Sequence, residues 1–376
     1  MFITQQSLEN LKLYKYTGVD KSLCARYILS PYFWEPFLKK CVPTTIAPNL
    51  ITLIGGIFML IPYFLTVMDS PTGQEEVSPF TALVTALCIF LYQTADNLDG
   101  KQARRTKSSS ALGELFDHGV DTFTMGIFAL IAVVMFHFDV KIQLFLFVML
   151  LSVFYMSHWE EYHTNSLVLG YVINPTELQI VCIIGLLFFA ICPECVDMYI
   201  YGYSTNKFGM YFIFILCVAA NCIYIHGTLT HIKKNGNYTM IQSLKHALPY
   251  LTFFAISIFI IVICPASFLQ QHFHLMALLI LFVNAFITQR LIVHRICKEP
   301  VAQFHVILIV YFVFAIFCCV SSMELFVLDY QILALIAFIC AFVIEAYFIY
   351  EIVTSFASYL KIKVFSIVPK EDSSEY

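Results

Sequence analysis

Charged residues are scarce in this 376-residue chain: 12% of positions are Asp, Glu, Lys or Arg. Soluble domains carry about a quarter, so there is too little polar surface here to coat a water-soluble globule. With 60% of residues hydrophobic and a mean hydropathy of +0.81, the coat has to be bilayer. The chain also lacks an internal repeat and a low-complexity tract, and residues 1–49 show no apolar run with a cleavage site, so no signal peptide is expected. Its 13 cysteines lie mostly in apolar runs, where they act as small hydrophobes. Cys192-Pro-Glu-Cys195 has redox or metal spacing but no further ligands nearby, which argues against a zinc site.

Apolar runs at 51–68, 80–95, 122–136, 142–158, 178–192, 209–227, 247–268, 274–293, 304–322 and 330–356 are long enough, or nearly so, to cross a membrane. The expected fold is therefore an all-α polytopic membrane protein of about ten transmembrane helices. Positive charge is missing from one side of it. Of the 21 lysines and arginines, all but Lys141 and Lys207 fall on the side that holds both termini. Both termini and the loop after the second run are accordingly expected to face the cytosol. The stretch 28–43, ILSPYFWEPFLKKCVP, mixes aromatics with Lys39 and Lys40 and suits the headgroup layer. The Asn237-Tyr238-Thr239 sequon falls on the cytosolic side in this reading and should stay unglycosylated.

The chemistry concentrates in residues 95–122, ADNLDGKQARRTKSSSALGELFDHGVDT. Read as a helix, Asp96, Asp99, Gly100, Ala103 and Arg104 share one face. Gly113, Asp117 and Asp121 repeat the logic at steps of four on a second helix, with Glu114 and His118 beside them. The short polar linker makes an antiparallel pair whose acidic faces can meet. Each acid in a spanning helix costs about 2.5–3.5 kcal/mol on insertion scales, and four together repel unless cations sit among them. All-oxygen ligation suits Mg²⁺ or Mn²⁺ beside phosphates. Gly100, Ala103 and Gly113 let a bulky ligand approach the backbone, and Arg104 offers a fork for phosphate oxygens. The bland alternative is a solvated charged hairpin.

The pattern D-x2-D-G-x2-A-R-x8-G-x3-D-x3-D matches the signature of the CDP-alcohol phosphotransferase family at every position, and APNLIT, DGKQARRT, GELFDHG and KNG resemble its eukaryotic choline/ethanolamine branch. The resemblance implies transfer of phosphocholine or phosphoethanolamine from CDP-choline or CDP-ethanolamine to diacylglycerol, with release of CMP. It implies Mg²⁺ or Mn²⁺ at Asp96, Asp99, Asp117 and Asp121, and His118 as proton acceptor. An imidazole titrates near neutrality, so the residue type suits that task. Orienting Asp121 is the competing role. The implied substrate contacts are Asn49, Gly100, Ala103, Arg104 and Gly113, and the implied location is the endoplasmic reticulum or Golgi membrane.

Residues 1–49 read as a cytosolic or interfacial lead-in, 50–230 as the catalytic bundle, 231–358 as C-terminal spans for pairing or lipid access, and 359–376 as a cytosolic tail. Glu177, opening the fifth run, either orients His118 across the bundle or is a first-turn carboxylate with Thr176 as cap. Asn49 is either a nucleotide contact or a plain helix cap. Arg105 and Lys107 either hold phosphates or only enforce sidedness. The stretch 157–171, SHWEEYHTNSLVLGY, reads as an interfacial loop whose Trp159, Glu160 and Tyr162 suit an alcohol headgroup. Family members usually carry glycine where this chain has Asn165. Asn284, Gln289, His294, Glu345 and Glu351 are read as interhelical hydrogen bonds or the seam of a homodimer. No nucleic-acid partner is expected. Rival functions are a CDP-alcohol enzyme for another alcohol such as inositol, glycerol phosphate or serine, a transporter, and a silent scaffold.

Overall fold

The computed structural model describes residues 2–367 apart from 172–173, 197–198, 201–202, 237 and 324–328. Ten long helices dominate these residues: α1 Pro48–Asp69, α2 Pro79–Arg105, α3 Ala111–Val134, α4 Val140–Thr164, α5 Pro175–Ile191, α6 Thr205–Asn235, α7 Met240–Ile263, α8 Phe273–Ile296, α9 Val306–Ser322 and α10 Tyr330–Leu360. Eight are long and apolar enough to cross a membrane, and α5 and α9 are shorter apolar helices. Each overlaps one of the ten apolar runs. The chain is an all-α polytopic integral membrane protein. Strand structure among the described residues is confined to two-residue ladders.

Caps, rather than hydropathy, decide where the helices begin. Ser78 accepts the Thr81 N–H with Pro79 in the first turn, so α2 opens at the start of its apolar run and continues through the acidic motif to Arg105. Ser110 accepts the Gly113 N–H and starts α3 eleven residues ahead of the expected 122. The acidic hairpin is therefore continuous with two spans. Asn174, not Thr176, caps α5, its Oδ1 taking the Thr176 N–H at 2.9 Å. The loop expected over 157–171 is helical as far as Thr164, so His158 to His163 ride the last turns of α4. That helix closes on Asn165 at φ 56°, a left-handed C-cap of the kind glycine or asparagine supplies.

The core forms around α8, which is buried along most of its length and packs on α3, α4 and α10. Close approach is possible because Gly126 on α3 has no side chain. A Cβ there would come within 2.1 Å of Leu281 on α8. On the other flank α1 packs on α2 and α3, and α2 on α5. Ile191, Ile215 and Val262 are exposed on the outside, where bilayer takes the place of protein.

The N-terminal segment runs across one end of this bundle. The Phe2 N–H donates to Glu351, the Ser7 hydroxyl to Glu299, the Tyr14 hydroxyl to Glu114, and the Thr17 hydroxyl to the Asn165 carbonyl. Val19–Asp20 then pairs in parallel with Val168–Leu169. Residues Ala25–Trp34 form a π-helix around Pro31, followed by a short α-helix, Glu35–Cys41. Proline has no N–H to give and crowds the preceding turn, and the wider π turn relieves the clash. Asn237 of the sequon, the Cys195 side chain and residues 368–376 lie outside the described residues.

Candidate active site

Between α2 and α3 the chain reverses in one turn, with Lys107 at φ 55° and the Ser108 N–H on the Ala103 carbonyl at 2.9 Å. The reversal lays the two acidic faces side by side. Asp96, Asp117 and Asp121 each offer a carboxylate oxygen, and these atoms all lie within 4.8 Å of one another. Asp99 stands outside that triad and is 4% exposed, and its Oδ2 accepts the hydroxyl of Thr52 on α1. Asp121 Oδ1 accepts the Tyr92 hydroxyl at 2.5 Å. Asp117 Oδ1 is buried and has no hydrogen-bond partner among the described residues. Three carboxylates this close repel, and an orphaned buried oxygen is costly. A divalent cation answers both, and an oxygen-only donor set fits Mg²⁺ or Mn²⁺.

Beside the triad the protein leaves space. A Cβ built on Gly100 meets nothing nearer than the Arg104 guanidinium at 3.4 Å. One built on Gly113 meets Ser110 Oγ at 3.5 Å and Asn49 Oδ1 at 3.8 Å. Protein packing is therefore not what calls for glycine at these positions. Arg104 is exposed and has no ion pair among the described residues, and Ala103 is half-buried. Asn49 sits one residue inside α1, whose N-cap is Ala47. Its side chain does not cap the helix but donates to the Val364 carbonyl at 3.0 Å. Arg105 Nη1 donates to the Leu38 and Val42 carbonyls at 2.9 and 2.8 Å, joining the end of α2 to the segment before α1. Lys107 is exposed in the turn.

His118 is buried next to the triad, its Nδ1 3.7 Å from Asp121 Oδ2 and its Nε2 3.9 Å from Glu114 Oε1. Neither distance is a hydrogen bond. Glu177, read either as orienting this ring or as a first-turn carboxylate, lies in the first turn of α5 and accepts from Ser22 Oγ at 2.7 Å and the Cys24 N–H at 3.1 Å, tying the N-terminal segment to α5.

A second group, Glu114, His118 and Glu161, could by spacing also hold a metal ion. Its positive charge is already supplied from α8. The Arg295 guanidinium pairs with Glu114 Oε1 and lies 3.4 Å from Glu161 Oε1. Glu161 Oε2 holds His158 Nδ1 at 2.9 Å, and the His158 ring stands edge-on to His118 with centroids 5.0 Å apart. The other Glu114 oxygen takes the Tyr14 hydroxyl. Burial, and then that carboxylate, hold the Tyr14 phenol above its ordinary pKa. Sequence reasoning placed Glu114 beside His118 but counted Arg295 only as a sidedness charge. It had no local signal for Thr52, Tyr92 or Tyr14, which reach the acids from other segments.

The sequence profile of the CDP-alcohol phosphatidyltransferase family matches residues 45–219, a stretch that contains all four aspartates and His118. The CDP-alcohol phosphatidyltransferase class-I family protein 2 of Dictyostelium discoideum, described as uncharacterized, is 31% identical over 97% of this chain and 88% of its own. The chain belongs to the CDP-alcohol phosphatidyltransferase class-I family. Choline/ethanolaminephosphotransferase 1 of Saccharomyces cerevisiae is 32% identical over 81% of each chain. Cholinephosphotransferase 1 of the same yeast is 31% identical over 98% of this chain and 99% of its own. Membership makes the protein a membrane-embedded CDP-alcohol phosphotransferase. The family profile ends before α7, yet α8 supplies the arginine that neutralises two acids of the site.

Proposed function

We propose that this protein transfers phosphoethanolamine or phosphocholine from CDP-ethanolamine or CDP-choline to diacylglycerol, releasing CMP and a phospholipid. The observation that carries this reading is the convergence of Asp96, Asp117 and Asp121 within 4.8 Å, next to open glycines and to Arg104, which has no ion pair among the described residues. Relatives named for choline and ethanolamine phosphotransfer support the choice of alcohols.

Asp96, Asp117 and Asp121, with Asp99 beside them, hold Mg²⁺ or Mn²⁺, which when bound supplies positive charge to the diphosphate. Arg104 takes phosphate oxygens that Gly100, Ala103 and Gly113 leave room for, and Asn49 lies at the edge of the same space. Diacylglycerol enters from the bilayer, and its hydroxyl oxygen attacks the phosphorus that carries the alcohol. The bond from that phosphorus to the CMP oxygen breaks, and His118 takes the hydroxyl proton. The excess of Lys and Arg on this side supports a mouth that opens to the cytosol, and the membrane proposed is that of the endoplasmic reticulum or Golgi.

The test is CMP release by purified protein in lipid micelles with diacylglycerol, Mg²⁺ or Mn²⁺, and each CDP-alcohol in turn. Turnover with CDP-ethanolamine or CDP-choline is the expected result. Turnover with neither would overturn the reading, and an exclusive response to inositol or another alcohol would replace it. His118→Ala is expected to lower turnover by roughly 10²–10⁴-fold, the usual contribution of a positioned base, while CDP-alcohol binding by calorimetry survives.

A further inference from the structure

Arg295 lies in the last turn of α8, outside the stretch matched by the family profile, and is 9% exposed. A buried guanidinium is costly without partners, and this one has two, from different helices: Glu114 of α3 and Glu161 of α4. Both are within the catalytic bundle, and both touch the surroundings of His118. Glu161 is 2% exposed and holds His158, whose ring flanks His118. Glu114 is one helical turn before His118, and its Oε1 stands 3.9 Å from Nε2, just beyond hydrogen-bond reach.

What keeps that gap open is the placement of the two Glu114 oxygens. One is drawn to Arg295 and the other takes the Tyr14 hydroxyl. Without the guanidinium, Glu114 keeps only the Tyr14 hydroxyl and Glu161 only His158, and the Oε1 of each is left without its cation beside the aspartate triad. The His118 ring, 3.9 Å from Glu114 Oε1, is then a group that this freed oxygen can turn to, on the face where a proton acceptor has to be free.

We propose that Arg295 is a positioning residue: by clamping Glu114 and Glu161 it holds Glu114 off His118 Nε2 and fixes His158 against the ring. The role deepens the proposed reaction, on which it rests for the task given to His118. It also gives the C-terminal helices a direct part in the chemistry of the bundle.

Three variants test it: Arg295→Gln, Arg295→Lys, and the double variant Arg295→Gln/Glu114→Gln. In Arg295→Gln, kcat should fall by roughly 30-fold or more while KM for the CDP-alcohol moves less than about threefold, the signature of an interaction needed only in the transition state. The double variant should regain at least about fivefold of that loss, because a neutral amide no longer competes for the ring. Simple loss of packing would not be repaired by a second substitution. Arg295→Lys, which keeps the charge but not the fork, should fall between parent and Arg295→Gln, and it carries the comparison if Arg295→Gln does not fold. A readout independent of turnover is carbethoxylation of His118 by diethylpyrocarbonate, followed by mass spectrometry. The modification should slow in Arg295→Gln and recover in the double variant. Absence of CMP release by the parent protein would count against the proposed reaction, whereas the labelling contrast still decides the placement of Glu114. Turnover of Arg295→Gln within about threefold of the parent, a loss the double variant does not repair, Arg295→Lys no better than Arg295→Gln, or unchanged labelling would each overturn the role of Arg295.

Discussion

The Tyr92 hydroxyl of α2 donates to Asp121 Oδ1 of α3 at 2.5 Å, so a phenol buried in one arm of the hairpin aims an acid of the other. Hydrogen bonds to charged groups are worth about 1.5–3 kcal/mol. Tyr92→Phe leaves the ring packing intact and removes only this bond. Asp121 should then be less well aimed, and the Mg²⁺ or Mn²⁺ concentration giving half-maximal CMP release should rise roughly tenfold, as 1.4 kcal/mol implies. Titrating the metal against the parent and Tyr92→Phe checks it, and superimposable curves would remove the phenol from the site.

Metal removal should expose the strain in the triad. With a chelator present, Asp96, Asp117 and Asp121 keep their mutual repulsion and the orphaned Asp117 Oδ1 keeps its unmet demand. Asp117→Asn relieves one charge, and a gain of about 1 kcal/mol corresponds to a Tm higher by roughly 2 °C in a chain of this size. Added Mg²⁺ or Mn²⁺ should reverse the order, because binding stabilises the parent by mass action. Differential scanning of both proteins in detergent, with and without metal, reads the sign directly.

Asn165 gives a conformational answer where the sequence suggested a question of headgroup choice. Its backbone is left-handed at φ 56°, and its N–H closes α4 on the Glu161 carbonyl at 2.7 Å. Glycine and asparagine both tolerate that geometry, while a β-carbon without a compensating polar group costs about 1 kcal/mol. Asn165→Gly should be close to neutral and Asn165→Ala destabilised by about that amount. A competition between CDP-choline and CDP-ethanolamine should give the same ratio for Asn165→Gly as for the parent, to within about twofold.

Glu299, in the loop after α8, clasps the N-terminal segment through Ser7. The His294 ring 3.6 Å away, joined by the Ser7 hydroxyl and opposed by burial, holds this carboxyl below its ordinary pKa. A depressed carboxyl stabilises the folded state above its unfolded value. That contribution fades as pH falls through the ordinary carboxylate range, about 4.3, and on to the folded value. Amide exchange of residues 4–10 should therefore accelerate as pH is lowered from 6 toward 3.5, once the intrinsic pH dependence of exchange is divided out. Glu299→Gln should remove the dependence and leave the segment loosened at every pH.

Much of this architecture is local and was legible beforehand. Asp96 with Asp99, and Gly113 with Asp117 and Asp121, share helix faces because 3.6 residues make a turn, whatever surrounds them. The misread segments failed for equally local reasons. His158 to His163 looked like a loop because hydropathy drops there, yet the α4 ladder continues until a left-handed residue stops it. Thr176 looked like a cap because threonine favours that place, but Asn174 precedes Pro175 and takes the position. Glu177, by contrast, stands in the first turn of α5 as one of its two readings expects, and its Oε1 accepts from the N-terminal segment, 153 residues away in sequence at Cys24.

The sequence by itself determined the ten helices, their membrane setting and the period that puts the acids on two faces, because apolar length and helical repeat act within single segments. Only the tertiary structure decided which acid is answered and by what. Glu114 and Glu161 meet Arg295 from α8, Asp99 meets Thr52 from α1, and Asp117 Oδ1 finds no hydrogen-bond partner among the described residues. Those pairings depend on how helices far apart in the chain are rotated against one another, and that rotation is set by packing such as Gly126 against Leu281.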